Sequence, residues 1–209
     1  MPREARPARS SNALYAAFFV PLVGAVLMSV IPAWSPRTAW FAITAGVLNM
    51  AFVLIMRRTR TLEKSRKRKV IFGISQFNLF VLFMLGIVWR VWDGGLLLAA
   101  GLLLLNVVCA FVGLRFRRFI FQEAANPQTK TGRIIYTIGL AGAGAAGILG
   151  YSLGNLLGER FAGKLPLFLT LAFVPVSMYV LLVIYSAWSK VDDPDWDPMD
   201  AKGSFRSGA

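Results

Sequence analysis

Six long apolar runs, separated by short polar connections, make up most of the chain. A bilayer core about 30 Å thick needs roughly 20 helical residues to cross it, and each run is about that long. The pattern therefore predicts an all-α integral membrane protein, a bundle of about six transmembrane helices paired as three hairpins. The runs cover approximately residues 13–34, 38–56, 70–89, 95–114, 134–158 and 165–188.

The bundle is predicted to be a single domain, residues 13–188, with a polar tail at each end. Residues 1–12 form a basic tail. Residues 189–209 form an acidic tail, and its low apolar content with closely spaced like charges predicts disorder. Folding against the basic connections, or docking of a partner, are alternative roles for it. Half of the ten acidic residues lie in this tail: Asp192, Asp193, Asp195, Asp197 and Asp200.

The first run has a second interpretation, as a cleaved signal peptide. Arg3, Arg6 and Arg9 precede it, as basic residues precede the apolar region of such peptides. Residues 13–33 are longer than the 7–15 residues usual for that region, and no small-x-small cleavage site precedes Pro36. We expect the run to be retained as a membrane helix.

Composition agrees with the membrane class. Hydrophobic residues make up 56% of the chain, charged residues 16%, and the mean hydropathy is +0.60. These values are outside the range typical of soluble domains. The single cysteine, Cys109, lies in the fourth run, so no disulfide within the chain is possible.

The net charge of +13 is unevenly placed along the sequence. Lys and Arg in short connections stay on the cytoplasmic side of a membrane. With six spans, all of the 23 basic residues fall on one side except Arg37, Arg90, Arg160 and Lys164. This distribution predicts that both termini are cytoplasmic, and the plasma (inner) membrane of a bacterium is the expected location.

Two basic clusters on the predicted cytoplasmic side are candidates for contact with anionic lipid, beside the simpler role of fixing orientation. Each Lys or Arg near an anionic surface contributes about 1 kcal/mol of attraction. Nucleic acid is not expected as a partner, because the first cluster has no interleaved aromatic residues and the second continues an apolar helix. The clusters comprise Arg57, Arg58, Arg60, Arg66, Lys67, Arg68 and Lys69, and then Arg115, Arg117 and Arg118.

Five of the uncharged polar residues inside the predicted spans are candidates for a polar interior. Asn49 and Asn106 lie at similar depth in the second and fourth spans, and Ser75, Gln76 and Asn78 lie in the third. Such side chains can hydrogen-bond across helices, or they can line a hydrophilic path or hold a polar ligand. The sequence predicts a polar bundle interior at these positions and leaves these roles open.

The fifth predicted span carries a stripe of small residues. Repeats at every fourth position lie along one side of a helix, where two backbones can approach closely. The stripe predicts a helix-packing seam, against another helix of the chain or against a second copy in a homo-oligomer. It consists of Gly142, Ala146, Gly150, Gly154 and Gly158.

The ionisable residues favour a protein that is not an enzyme. The chain has no histidine, and none of its acidic residues lies within a predicted span, so no metal site or cofactor is expected. The favoured hypothesis is a transport or channel-like subunit, or an assembly or regulatory factor working with a membrane-complex partner. The alternative is a membrane enzyme or binder that acts on anionic lipid or polyprenyl-phosphate head groups at the cytoplasmic face.

Overall fold

The structure is a computed structural model that describes residues 10–31, 33–59, 65–130, 132–134, 136–137 and 165–193, and every element numbered within these ranges is a helix. In chain order the helices are α1 (Ser10–Val30), α2 (Pro36–Arg58), α3 (Arg66–Val91), α4 (Leu96–Arg115), α5 (Arg117–Ala125), α6 (Leu165–Ser186) and α7 (Ser189–Asp192).

Long helices stand where five of the six spans are predicted. Among the described residues, α2, α3, α4 and Thr170–Asp192 are long and apolar enough to cross a membrane, and α1 adds the shorter apolar stretch Phe19–Val30. The chain is therefore all-helical and of the membrane class as far as it is described. The predicted fifth span and its small-residue seam, 142–158, lie outside the described residues apart from the start of the span. Six spans and the orientation stay predictions.

Local sequence explains where several helices begin and end. Pro36 occupies the first turn of α2, where its missing N–H costs nothing because that position has no helical partner. The helix that leaves the fourth span turns at Phe116, with φ −106° and ψ 26°, and resumes as α5. The proline rule predicts an end near Asn126-Pro127, and α5 ends at Ala125.

A tight turn joins α3 to α4. The N–H of Gly94 donates to the carbonyl of Trp89 at 2.8 Å, and the N–H of Asp93 donates to that of Arg90 at 3.1 Å. These two bonds form a Schellman motif, whose middle residue adopts a left-handed conformation. Asp93 holds that place with φ 46°. A Cβ on Gly94 would overlap the Trp89 indole, so the turn requires glycine there.

Helix α3 is the centre of the bundle. It packs against α1 on one side and α6 on another, while α2 lies outside α1 and α4 lies against α6. Contacts at both ends show that α3 and α6 are antiparallel. Lys67 Nζ lies 5.8 Å from the ring centre of Trp188 at one end, and at the other Trp92 Nε1 donates to Thr170 Oγ1 at 2.6 Å.

Two apolar clusters fill the spaces around α3. The first joins α1, α2 and α3, and the second joins α3, α4 and α6. Because lipid tails are as apolar as these side chains, dispersion contacts and close packing hold such clusters together. The buried members are Ala25, Met28, Ala42, Phe83, Met84 and Ile87 in the first, and Val81, Leu85, Cys109 and Leu181 in the second.

Gly24 and Gly113 are two of the described glycines that allow close helix packing. A Cβ on Gly24 of α1 would lie 3.0 Å from Phe80 Cδ2 of α3. A Cβ on Gly113 of α4 would lie 2.9 Å from Tyr185 Cβ and 3.0 Å from the carbonyl oxygen of Leu182. The sequence analysis, drawn to the longer stripe in the fifth span, did not single out either glycine.

The outer sides of α2 and α4 are apolar and uncovered in the described chain. Trp40 is 69% exposed, and Leu96 and Leu97 are 89% and 88% exposed. A soluble monomer rarely exposes contiguous apolar patches above a few hundred Å², whereas hydrocarbon solvates such surfaces at no cost. The exposed sides of these helices therefore suit a lipid environment.

Candidate functional site

The first pair of polar residues in the bundle joins α2 to α3. Asn49 Nδ2 donates to Gln76 Oε1 at 2.9 Å, and Gln76 Nε2 donates back to Asn49 Oδ1 at 2.8 Å. Gln76 is 1% exposed. On one side of the pair the rings of Phe52 and Phe72 stack with their centres 6.0 Å apart, beside the buried Val53. The reciprocal amide bond is thus closed off by apolar groups on that side.

The second pair joins α3 to α4. Asn106 Nδ2 donates to Asn78 Oδ1 at 3.1 Å, and Asn106 is buried. Gln76 and Asn78 are two residues apart, which is about 200° around a helix, so they point to different neighbours. Both pairs therefore lie at the same level of α3 and connect it to α2 and α4. Ser75 is exposed, and neither pair includes it.

Arg90 closes the end of α1. Its Nη1 donates to the carbonyl oxygens of Met28 and Ile31, the latter at 2.8 Å, and its Nη2 donates to that of Ala33 at 2.7 Å. The last carbonyls of a helix have no partner within it and carry partial negative charge. The guanidinium group donates hydrogen bonds to carbonyls at this end and places a positive charge beside their partial negative charge. Sequence analysis placed Arg90 on the outer side and gave it no role, because its partners are about sixty positions away.

The basic residues of the predicted lipid contacts meet at one end of the bundle, called here the basic end. The C-termini of α2, α4 and α6 and the N-terminus of α3 lie there, together with α5 and α7. Of the basic residues that the structure describes, Arg37 and Arg90 lie at the opposite end. Arg60 is outside the described residues. The basic end carries Arg57, Arg58, Arg66, Lys67, Arg68, Lys69, Arg115, Arg117 and Arg118.

The turn between α4 and α5 forms a concave surface, called here the arginine corner. Its volume is about 460 Å³, and residues 114–119 line it, three of them arginines. Phe116 is 55% exposed and Phe119 is 39% exposed. The guanidinium carbon of Arg115 lies 6.0 Å from the ring centre of Phe116. The corner therefore presents positive charge and aromatic surface together.

The start of the acidic tail lies against the arginine corner. Arg117 Nε is 2.7 Å from Asp192 Oδ2, and Arg118 Nη2 is 3.8 Å from Asp193 Oδ2. All four side chains are partly exposed, and exposed ion pairs contribute about 0–1 kcal/mol each. The pairing places two carboxylates beside the guanidinium groups of the corner. Sequence analysis raised such folding as an alternative for the tail without naming these pairs.

Glu123 organises the chain after α5. It is 5% exposed, and its carboxylate accepts the N–H of Gln128 at 3.0 Å and the N–H of Thr129 at 3.2 Å. Thr129 Oγ1 in turn accepts the N–H of Gly132 at 2.9 Å, which caps the helical segment that follows. Sequence analysis gave Glu123 no role, and Pro127 was the local signal of this bend.

The amide pairs and the arginine corner offer hydrogen bonds and positive charge. Within the described ranges, no three His, Cys, Asp or Glu side chains lie together as ligands of a metal ion would. Comparison with protein-family models, with curated proteins and with solved structures finds no match.

Proposed function

We propose that this protein is a non-catalytic membrane scaffold, an assembly or regulatory factor for other membrane proteins, and not a subunit that conducts a solute. One observation carries the proposal. Of the five candidate residues for a polar interior, four are bonded to one another in two pairs, Asn49 with Gln76 and Asn78 with Asn106. A hydrophilic path needs polar groups that face water, and these amides face each other.

The layers around the first pair support the same conclusion. Phe52 and Phe72 stack on the side of the pair that faces the basic end. On the other side, Ala45 and Leu79 pack into the cluster that contains Ala42. These apolar layers support a role in which the amides set which helix faces meet, the best attested use of buried polar groups. A scaffold depends on such fixed helix positions.

Cysteine accessibility tests whether the amide level is dry. Cys109 is first replaced by alanine in the full-length chain. Single-cysteine variants Gln76→Cys, Asn106→Cys and, as an exposed control, Arg118→Cys are then treated in inside-out native membranes with a membrane-impermeant maleimide. We expect Arg118→Cys to react and the two interior variants to react only after denaturation in SDS. Reaction of the interior variants within about tenfold of the control rate would mean water reaches the amides, and a conducting path would replace the scaffold.

Assembly is tested separately, on the protein in its own membranes. Mild detergent extracts are separated by native electrophoresis before and after crosslinking in the intact membrane. A scaffold is expected to migrate in a discrete complex heavier than the 23.0 kDa chain, with the same crosslinked partner in independent extracts. A chain that stays monomeric under every mild condition, with no reproducible crosslink, contradicts the assembly role.

A further inference from the structure

We propose that the arginine corner binds the phosphate group of an anionic phospholipid, and that Asp192 and Asp193 occupy two of its arginines when no lipid phosphate is bound. The inference goes beyond the scaffold function, because it assigns a ligand to the surface of the basic end. It does not depend on whether the amide pairs are dry.

The chemistry of the corner suits a phosphate. Arg115, Arg117 and Arg118 line one concavity of about 460 Å³. A guanidinium group offers several N–H donors in one plane and binds two phosphate oxygens through two parallel hydrogen bonds, whereas a lysine ammonium group acts as a point charge. Three such groups within four successive positions give a small phosphate more donors than it has oxygens to accept.

The position of the corner suits a lipid. The 20-residue helix α4 is apolar enough to cross a membrane and ends at Arg115. Lipid phosphates lie just outside the hydrocarbon core, which is where the next residues fall. The exposed rings of Phe116 and Phe119 can lie among the head groups and the first methylene groups of the acyl chains. The corner thus combines a phosphate-binding surface with an apolar contact for the same lipid.

The carboxylates of the tail show that oxyanions reach two of the arginines of the corner. Asp192 Oδ2 lies 2.7 Å from Arg117 Nε, and Asp193 Oδ2 lies 3.8 Å from Arg118 Nη2. Exposed ion pairs are weak and are screened by salt, so a phosphate that contacts several arginines can displace them. With both pairs formed, three positive charges face two negative ones, and Arg115 leaves the corner attractive to an anion.

Native mass spectrometry of the full-length protein in detergent measures the binding. The protein is titrated with phosphatidylglycerol, and in parallel with phosphatidylcholine of the same acyl chains. We expect preferential binding of phosphatidylglycerol. The Arg117→Gln/Arg118→Gln variant should bind it about thirtyfold more weakly, since each arginine near an anionic surface raises the affinity about fivefold. The Asp192→Asn/Asp193→Asn variant should bind it about fivefold more tightly, because two weak competing pairs are removed.

Matched charge changes elsewhere separate a site from diffuse attraction. Lys130→Gln/Arg133→Gln removes the same charge after α5, outside the two predicted lipid-contact clusters, and Asp197→Asn/Asp200→Asn makes the same change further along the tail. We expect both controls to alter binding less than about threefold. Equal losses in the two variants that lack basic residues overturn the site. Equal gains in the two aspartate variants, or no gain in either, overturn the competition by the tail.

Two further measurements complete the test. Thermal unfolding of each variant reports whether it folds, and if the arginine variant does not, Arg117→Lys/Arg118→Lys replaces it, with weaker binding expected from the loss of paired donors. Titration with inorganic phosphate distinguishes the source of the ligand. Millimolar phosphate that displaces phosphatidylglycerol, and binds as tightly as the lipid does, would assign the corner to a soluble phosphate. That result would overturn the proposal of a lipid ligand.

Discussion

Asn49 and Gln76 exchange two hydrogen bonds between α2 and α3, with donor–acceptor distances of 2.9 and 2.8 Å. Each amide supplies one donor and one acceptor to the other. Removing one side chain leaves the other amide, the buried Gln76 or the half-buried Asn49, without its partner, which costs more than removing both. The pair also fixes the register of the two helices, because a slip of one residue would separate the amides.

The first prediction concerns this reciprocity. Asn49→Leu and Gln76→Leu should each lower the free energy of unfolding in bicelles by about 1–2 kcal/mol, since each leaves an interhelical amide without its partner. The double leucine variant should be less destabilised than the sum of the single variants. The coupling energy of the cycle is expected to be about 1 kcal/mol, as two interhelical bonds at the membrane average would give. Additive single effects would mean that the amides act independently.

The second prediction concerns the cap on α1. Arg90→Gln should destabilise the bundle by about 2 kcal/mol, because three carbonyl oxygens lose a charged donor and the end of α1 loses its positive partner. Arg90→Lys should recover part of the loss, since one ammonium group cannot reach all three oxygens. Arg37→Gln is the matched control at the same end, where the side chain is exposed and little change is expected. Equal effects of the two glutamine variants would exclude a specific cap.

The helix boundaries could be predicted from the sequence, whereas the contacts of Asn49 and Arg90 could not. Hydropathy is a local property, so the predicted spans 38–56 and 95–114 lie within two residues of the observed Pro36–Arg58 and Leu96–Arg115. The partners of Asn49 and Arg90 depend on which helix faces meet and in what register. A single sequence contains no local signal for either.

The candidate site was predictable to a similar extent. The polar residues of the spans were identified from their type and depth. Which of them hydrogen-bond across helices could be seen only from the geometry of the pairs. The arginines of residues 115–118 stood out as a charge cluster. The turn at Phe116, which places these arginines around one concave surface, was not predicted, because no proline or glycine marks it. The burial of Glu123 was also missed, because nothing in the neighbouring sequence indicates it.

The third prediction concerns the turn between α3 and α4. Asp93 holds a left-handed conformation, with φ 46°, which glycine adopts without strain. Asp93→Gly should therefore raise the free energy of unfolding by about 0.5–1 kcal/mol, Asp93→Asn should change it little, and Asp93→Ala should lower it. Thermal unfolding of the four proteins under one condition checks the order. A glycine variant less stable than the alanine variant would contradict the assigned role of this residue.

The fourth prediction concerns the buried carboxylate of Glu123. Glu123→Ala should leave the N–H groups of Gln128 and Thr129 without their acceptor, at a cost of about 1–3 kcal/mol. The effect should be local, so hydrogen exchange measured by mass spectrometry should speed up in peptides covering 126–132. Glu123→Gln keeps one acceptor oxygen and should give a smaller increase. Unchanged exchange in the alanine variant would show that the carboxylate does not hold this bend.

The last prediction compares two glycines of α4. A Cβ at Gly113 would lie 2.9 Å from Tyr185 Cβ and 3.0 Å from a backbone carbonyl of α6, and neither atom can move without shifting a helix. Gly113→Ala should therefore destabilise the α4–α6 contact by about 1–3 kcal/mol. Gly101 of the same helix has nothing within 4 Å of its Cβ position among the described residues, so Gly101→Ala should be neutral or stabilising by up to about 1 kcal/mol. Unfolding in bicelles measures both. Because the two variants make the same chemical change in one helix, their opposite signs isolate helix packing from helix propensity, and equal effects would mean that α4 does not approach α6 as closely as the glycine contacts require.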